Sequence, residues 1–186
     1  LETVAVYCEP KLKTYGFKKA TDLSLLSWVA DAKWTAACGQ IFRKLGASGL
    51  KFRLVTARGS ENGRITIHLL IDSGMETAVR SQFEHMSEPI LENDEGIHWV
   101  SPVEMLFFHG PHYGDRYGIV DLVFGVLERE SIPVILWACS ASSIYLVLPH
   151  KTAQHAVAVL SEAIEIPTDV RTHCKDPREK AIHDST

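Results

Sequence analysis

Apolar and polar positions along this chain fall into alternating and helical periods, and the order of the periods recurs. Residues 20–28 mix Leu and Ser as a half-buried strand does. After Asp31-Ala32-Lys33, the positions Trp34, Ala37, Cys38, Ile41, Phe42 and Leu45 keep helical spacing until Gly46 and Gly49 close the segment. Residues 51–57 alternate Phe52 and Leu54 with Lys51, Arg53 and Thr56, which predicts an antiparallel strand with one wet face. Asn62-Gly63 is a hairpin signal, residues 64–71 return as a strand, and 75–85 form a second helix. The same sequence of elements follows again: strand 103–109, helix 119–130, strands 132–139 and 143–148 around Ser140-Ala141-Ser142, and a helix 153–164 with Thr152 as its N-cap. Fourth strands are expected near 96–101 and 165–171.

The recurrence is a duplication. Residues 22–57 align on 104–139 at an offset of 82, which superposes Leu25-Leu26 on Phe107-Phe108, Ile41-Phe42 on Val123-Phe124, Leu45 on Leu127 and Leu50 on Ile132. Beyond the hairpin 58–64 the offset becomes 78, with Ile65-Thr66-Ile67 on Ser143-Ile144-Tyr145 and Ala78-Val79 on Ala156-Val157. A period near 80 residues exceeds a solenoid unit, so the expectation is two small domains. The order βαββαβ predicts an α+β chain of two ferredoxin-like units, each an antiparallel sheet with both helices on one face. The boundaries expected are an N-terminal extension or linker 1–19, a first domain 20–101, a second domain 102–172 and a polar tail 173–186.

Composition narrows the function classes. With 46% apolar and 23% charged residues the chain is ordinary for a globular protein. A net charge of −4 lacks the basic footprint of a nucleic-acid binder, no run is apolar for long enough to suggest a membrane span, and no secretion signal opens the sequence. Cys8, Cys38, Cys139 and Cys174 are widely spaced without a CxxC pair; the even count would allow two disulfides in an oxidising compartment, and usage by compartment favours reduced thiols in the cytoplasm.

The chemistry concentrates in residues 109–119, between the first strand and first helix of the second copy. Gly110, Pro111, Gly114 and Gly118 let the backbone turn sharply and approach a ligand. The loop ends at a helix N-terminus, which favours an anion. Asp115 can accept from an ammonium group and Arg116 can fork onto a carboxylate, so the loop has the parts to hold an amino-acid zwitterion. The blander reading has Asp115 capping the helix and Arg116 solvated. His109, His112 and Asp115 make a thin metal set, and Cys139 with His109 as base is an alternative nucleophile pair. Neither GxxxxGK[ST] nor GxGxxG occurs.

The second copy resembles an ACT domain, carried by the strand 103–108, the loop 109–118, the run Ile119-Val120-Asp121-Leu122-Val123-Phe124-Gly125-Val126-Leu127, Ser131-Ile132-Pro133-Val134 and the serine-rich turn 138–143. The pair is similar to the tandem regulatory module at the C-terminus of aspartate kinases, across 103–166 and more loosely across 14–85. The resemblance implies a non-catalytic module that senses an amino acid such as lysine or threonine and acts by homodimerising or by docking on an amino-acid biosynthetic enzyme. No cofactor, metal, nucleic acid or membrane enters that reading. Carried onto this sequence, the effector residues are Asp31 and Lys33 in the first copy. In the second they are His109, Gly110, Asp115, Arg116, Tyr117, Gly118 and Ile119, with Ser140 and Ser142 at the facing edge. The kinase nucleotide motif is absent from these 186 residues. Two alternatives stand beside this: a small metal- or Cys/His-dependent enzyme, and a structural ACT pair without a ligand.

Overall fold

A computed structural model describes residues 11–31, 33, 35–59, 62–84, 97–111, 113–115 and 117–166. In chain order the elements are β1 (Phe17–Asp31), α1 (Thr35–Ala47), β2 (Leu54–Gly59), β3 (Arg64–Asp72), α2 (Glu76–Glu84), β4 (Ile97–His109), α3 (Ile119–Arg129), β5 (Leu136–Cys139), β6 (Ser143–Pro149) and α4 (Ala153–Ala163). The extension before Lys11, the polar tail, and all but the first two residues of the strand expected at 165–171 lie outside the described residues.

Two separate ferredoxin-like sheets are not what forms. The strands make one continuous six-stranded antiparallel sheet of order β2-β3-β1-β4-β6-β5. The cause is the length of the two central strands. Segments 96–101 and 103–109, expected apart, fuse into the 13-residue β4, and residues 17–19 extend the first strand into the 15-residue β1. These strands pair with each other from Phe17↔Phe108 to Trp28↔Ile97, while β3 takes the second half of β1 and β6 the second half of β4. Each half of the sheet therefore borrows a strand from the other. Pro102 does not break β4 because it falls where the ladder skips, between Leu23↔Val103 and Leu25↔Val100. Asp22 sits at the neighbouring irregularity, between Ala20↔Met105 and Leu23↔Val103, with φ 56°, the left-handed backbone that a bulge accommodates.

Two cores lie under the helices. The first joins Leu26, Trp28 and Ala30 of β1, Ile67, Leu69 and Ile71 of β3, Cys38, Ile41 and Leu45 of α1, and Val79 and Phe83 of α2. The second joins Leu106 and Phe108 of β4, Ile144, Leu146 and Leu148 of β6, Val123 and Leu127 of α3, and Ala156 and Leu160 of α4. On the helix-free face, Leu23, Leu25, Leu70, Val103 and Val147 form a third cluster with Leu54, Met105 and Leu136, so the sheet curls until its two halves meet.

These cores correct the internal alignment. Trp28↔Ile67 in one half matches Phe108↔Ile144 in the other, an offset of 80 in the first strand and 77 in the third. The helix offset of 82 holds for Ile41 on Val123 and Leu45 on Leu127. An offset of 78 would place Ile67 on Tyr145, which points to the other face. In a strand a one-residue slip reverses every side chain.

Candidate functional site

The backbone leaves β4 at His109 and enters a crossing of three segments. The His109 carbonyl accepts from Tyr15 N–H (2.9 Å) and from Thr14 Oγ1 (2.8 Å), and Thr14 is fully buried. Gly110 N–H donates to the Ser142 carbonyl (3.2 Å), which continues the β4–β6 ladder past His109↔Ser143. Only glycine fits at 110: a Cβ there would lie 2.2 Å from the Lys13 carbonyl oxygen and 2.5 Å from the Tyr113 ring. Residues Tyr113–Asp115 make one turn of 3-10 helix, and Gly114 rests against Ala141 at the facing hairpin. His109, Gly110 and Ser142 are thus brought together as the sequence implied, and the loop leans on the serine turn. Ser140 N–H donates to the Ser143 carbonyl (2.9 Å), and Ser142 Oγ lies 3.4 Å from Ser143 Oγ, with both turn hydroxyls exposed.

The loop then delivers α3. Gly118 is the residue before it, with φ +80° and no side-chain cap, and its carbonyl accepts from Leu122 N–H (2.9 Å). The N-cap position thus falls to Gly118, three residues after Asp115. Amides of a first turn without a side-chain cap are available to an anion. Ile119 faces the core, whereas Tyr117 is 98% exposed beside that turn. Arg116 and His112 lie outside the described residues, as does the Asp115 side chain.

The first-copy pair stands elsewhere. Asp31 ends β1, at the far end from Phe17, roughly 45 Å along the strand at about 3.3 Å per residue. Its carboxylate meets Lys33 Nζ (2.9 Å) and Lys33 N–H (3.1 Å), and the Lys33 ammonium holds its titration below the usual carboxylate range. Among the described residues, His109, Gly110 and Ser142 lie together in the second copy, and Asp31 and Lys33 form a distant ion pair.

The Cys139–His109 pair of the enzyme alternative is not brought together. Cys139 pairs with Ile144, which faces the second core, while His109 pairs with Ser143 on the opposite face. A thiol and an imidazole on opposite faces of a sheet cannot act as nucleophile and base. Among the described residues no group of three His, Cys, Asp or Glu is arranged for a metal, and no helix is long and apolar enough to cross a membrane. The His109 ring is stacked on Phe107 (5.5 Å, 15°) and lies 5.3 Å from Tyr15, with no hydrogen-bond partner for Nδ1 among the described residues.

Two polar features escaped the sequence reading. One is residues 13–15, whose sequence carries no motif. The other is a pair of equivalent positions beneath the helix starts. Ser24 is fully buried and its hydroxyl donates to Glu76 Oε2 (2.7 Å) while lying 2.9 Å from Ser101 Oγ. The Ser24 hydroxyl above all, then the Arg80 guanidinium and the Ser101 hydroxyl, pull the Glu76 carboxyl below its ordinary value against a smaller opposing effect of burial. In the other half buried Glu104 takes the place of Ser24, and its Oε2 accepts from Ala153 N–H (2.9 Å) at the start of α4. A polar residue inside the run Leu23-Ser24-Leu25-Leu26 was the available signal, since buried polar groups need partners.

No protein-family model matches the sequence, and no curated protein matches it by sequence. Solved structures match its fold. The regulatory subunit of aspartate kinase from Thermus flavus superposes with a TM-score of 0.68 at 13% identity, over 81% of this chain and 98% of that one. Aspartate kinase from Synechocystis gives 0.69 at 19% identity, over 84% of this chain and 28% of that enzyme. E. coli aspartokinase III in complex with lysine and aspartate gives 0.58 at 16% identity, over 86% and 35%. The chain thus has the fold of that regulatory subunit along almost all of its length, and spans about a third of the larger kinases.

Proposed function

We propose that this chain is a non-catalytic regulatory module that binds an amino acid and passes the binding signal to an amino-acid biosynthetic enzyme, an aspartate kinase being the first candidate. One observation carries the reading: the fold spans 98% of the regulatory subunit of an aspartate kinase. The second-copy loop supports it, because it ends at an uncapped helix N-terminus suited to the effector's carboxylate. Lysine is the first effector to test, since E. coli aspartokinase III is a lysine complex, and threonine the second. The first copy is the poorer site. Asp31 and Lys33 already neutralise each other there, and a ligand would have to displace a formed ion pair.

The sheet edge β5 is where a second copy would add. Edge strands expose unpaired backbone groups, and here Ile135 and Trp137 are 37% and 46% exposed, with Trp137 edge-on to Phe124 of α3 at 5.4 Å. A homodimer closed through β5 would bury that face and set the Ser140–Ser142 turns of both copies near the joint. The reading implies a cytoplasmic protein.

The test is calorimetry and thermal unfolding against a panel of the common amino acids at millimolar concentration, with sedimentation in parallel. A ligand present at about 100 times its dissociation constant adds about 2.7 kcal/mol to stability, which raises the melting temperature by about 5–10 °C in a chain of this size. Absence of both heat and thermal shift across the panel would reject the sensor, and a monomer at every concentration would reject the β5 dimer.

A further inference from the structure

Residues 12–16 belong to neither copy of the duplication, yet they touch the candidate loop more closely than any other segment. Leu12 is buried in the second core. Thr14 N–H donates to the Glu165 carbonyl (2.9 Å) and Glu165 N–H to the Leu12 carbonyl (2.8 Å), so the segment is held beside the end of α4. On its other side it meets the strand-to-loop junction. Both hydrogen bonds accepted by the His109 carbonyl come from this segment, and a carbonyl with two donors has both lone pairs in use. One residue on, the Gly110 Cα sits so close to the Lys13 carbonyl that a methyl group cannot be interposed. The Tyr15 ring lies 5.3 Å from that of His109.

We infer that residues 12–16 are a clamp on the loop after β4, and that they relay the loop's state along residues 11–17 into the start of β1. The loop cannot shift at residues 109–110 without moving the Lys13 and Thr14 backbone or leaving buried groups unpaired. Thr14 is the positioning residue, because its hydroxyl donates to the His109 carbonyl at the junction. It also lies within 3.4 Å of the Gly16 amide and carbonyl, which turns the segment into β1. The relay rests on the reading of this loop as the effector site; the clamp itself does not.

The experiment is amide hydrogen exchange on the whole chain, comparing wild type with Thr14→Val, which keeps the shape, and Thr14→Ser, which keeps the donor. Without any amino acid, T14V is expected to speed exchange across 110–118 by about tenfold, the loss of one buried hydrogen bond, while T14S stays near wild type. Unchanged loop exchange in T14V would overturn the clamp. With lysine or threonine bound, exchange across 11–17 is expected to slow together with 110–118, and T14V to bind about tenfold more weakly than T14S. Binding that leaves 11–17 untouched would overturn the relay while the effector reading stands. If neither amino acid binds, the effector reading falls and the relay with it, and the ligand-free comparison still decides the clamp. Should T14V fail to fold, wild-type exchange across a urea series serves: Tyr15 and Gly110 amides opening as one unit support the clamp, and opening separately they refute it.

Discussion

Gly110→Ala is the substitution with the most to say about how the candidate site is held. The added Cβ would lie 2.2 Å from the Lys13 carbonyl oxygen, 2.5 Å from one carbon of the Tyr113 ring and 2.8 Å from another. A ring can tilt; a backbone carbonyl held on both sides cannot. Restoring ordinary contact requires Lys13 to retreat by about 1 Å, enough to break the bonds from Thr14 and Tyr15 to the His109 carbonyl, each worth about 1 kcal/mol. Adding overpacking of about 1–3 kcal/mol, the expected loss is about 3–5 kcal/mol, or a fall in melting temperature of about 10 °C. Two other glycines calibrate the scale. At Gly114 the new methyl meets Ala141 at 3.3 Å, so the cost should stay below about 1 kcal/mol. At Gly125, inside α3 with nothing within 4 Å, alanine should stabilise by about 0.5–1 kcal/mol. The assay is urea unfolding of the three variants beside wild type. A G110A midpoint equal to that of G114A would refute the close approach of residue 13, and a destabilised G125A would refute the placement of α3.

Two further outcomes follow from the polar contacts beneath the helices. Glu104→Ala removes the acceptor of Ala153 N–H and should cost about 2 kcal/mol, while Glu104→Gln, which keeps an oxygen, should cost less; thermal unfolding separates them, and equal losses would count against the bond. Glu76 has its titration lowered in the fold, chiefly by the Ser24 hydroxyl, so its stabilisation is complete above the unfolded carboxylate value near 4.5 and is lost as pH falls through the lower folded value. Glu76→Gln should therefore flatten the acid limb of a stability–pH curve below about pH 4.5, and an acid limb identical to wild type would exclude that contribution.

Much of the architecture was legible because the core repeats. The helical spacing of Ile41 and Leu45 against Val123 and Leu127 survives into the cores unchanged. The joining of the sheet was not legible. A strand break at Pro102 and a linker ending at residue 19 are what local propensity predicts, and both are overridden because β1 and β4 pair on either side of the irregularities, from Phe17↔Phe108 to Trp28↔Ile97. Within the candidate site the glycines and the serine turn could be read, since tight turns demand those residue types. The partner that holds the loop could not. Lys13-Thr14-Tyr15 has no pattern of its own, and its role depends on main-chain contacts made 95 residues away. Pairing of that kind is a property of topology, and a single sequence does not encode it in residue type.

The difference between the two copies follows from the same topology. Gly110 occupies the strand position of Ala30, 80 residues earlier, where both positions are buried. The second copy needs glycine there because the segment 12–16 presses on it; at Ala30 a methyl group is accommodated within the first core. Where the segment presses, the chain turns into a glycine-rich loop ending at an uncapped helix; where it does not, the strand ends in a self-satisfied Asp31–Lys33 pair. The two halves thus differ where a segment from outside the repeat packs on one of them. An effector at the clamped loop would act on a junction held by three segments, whereas one at the Asp31 end would first have to break an ion pair.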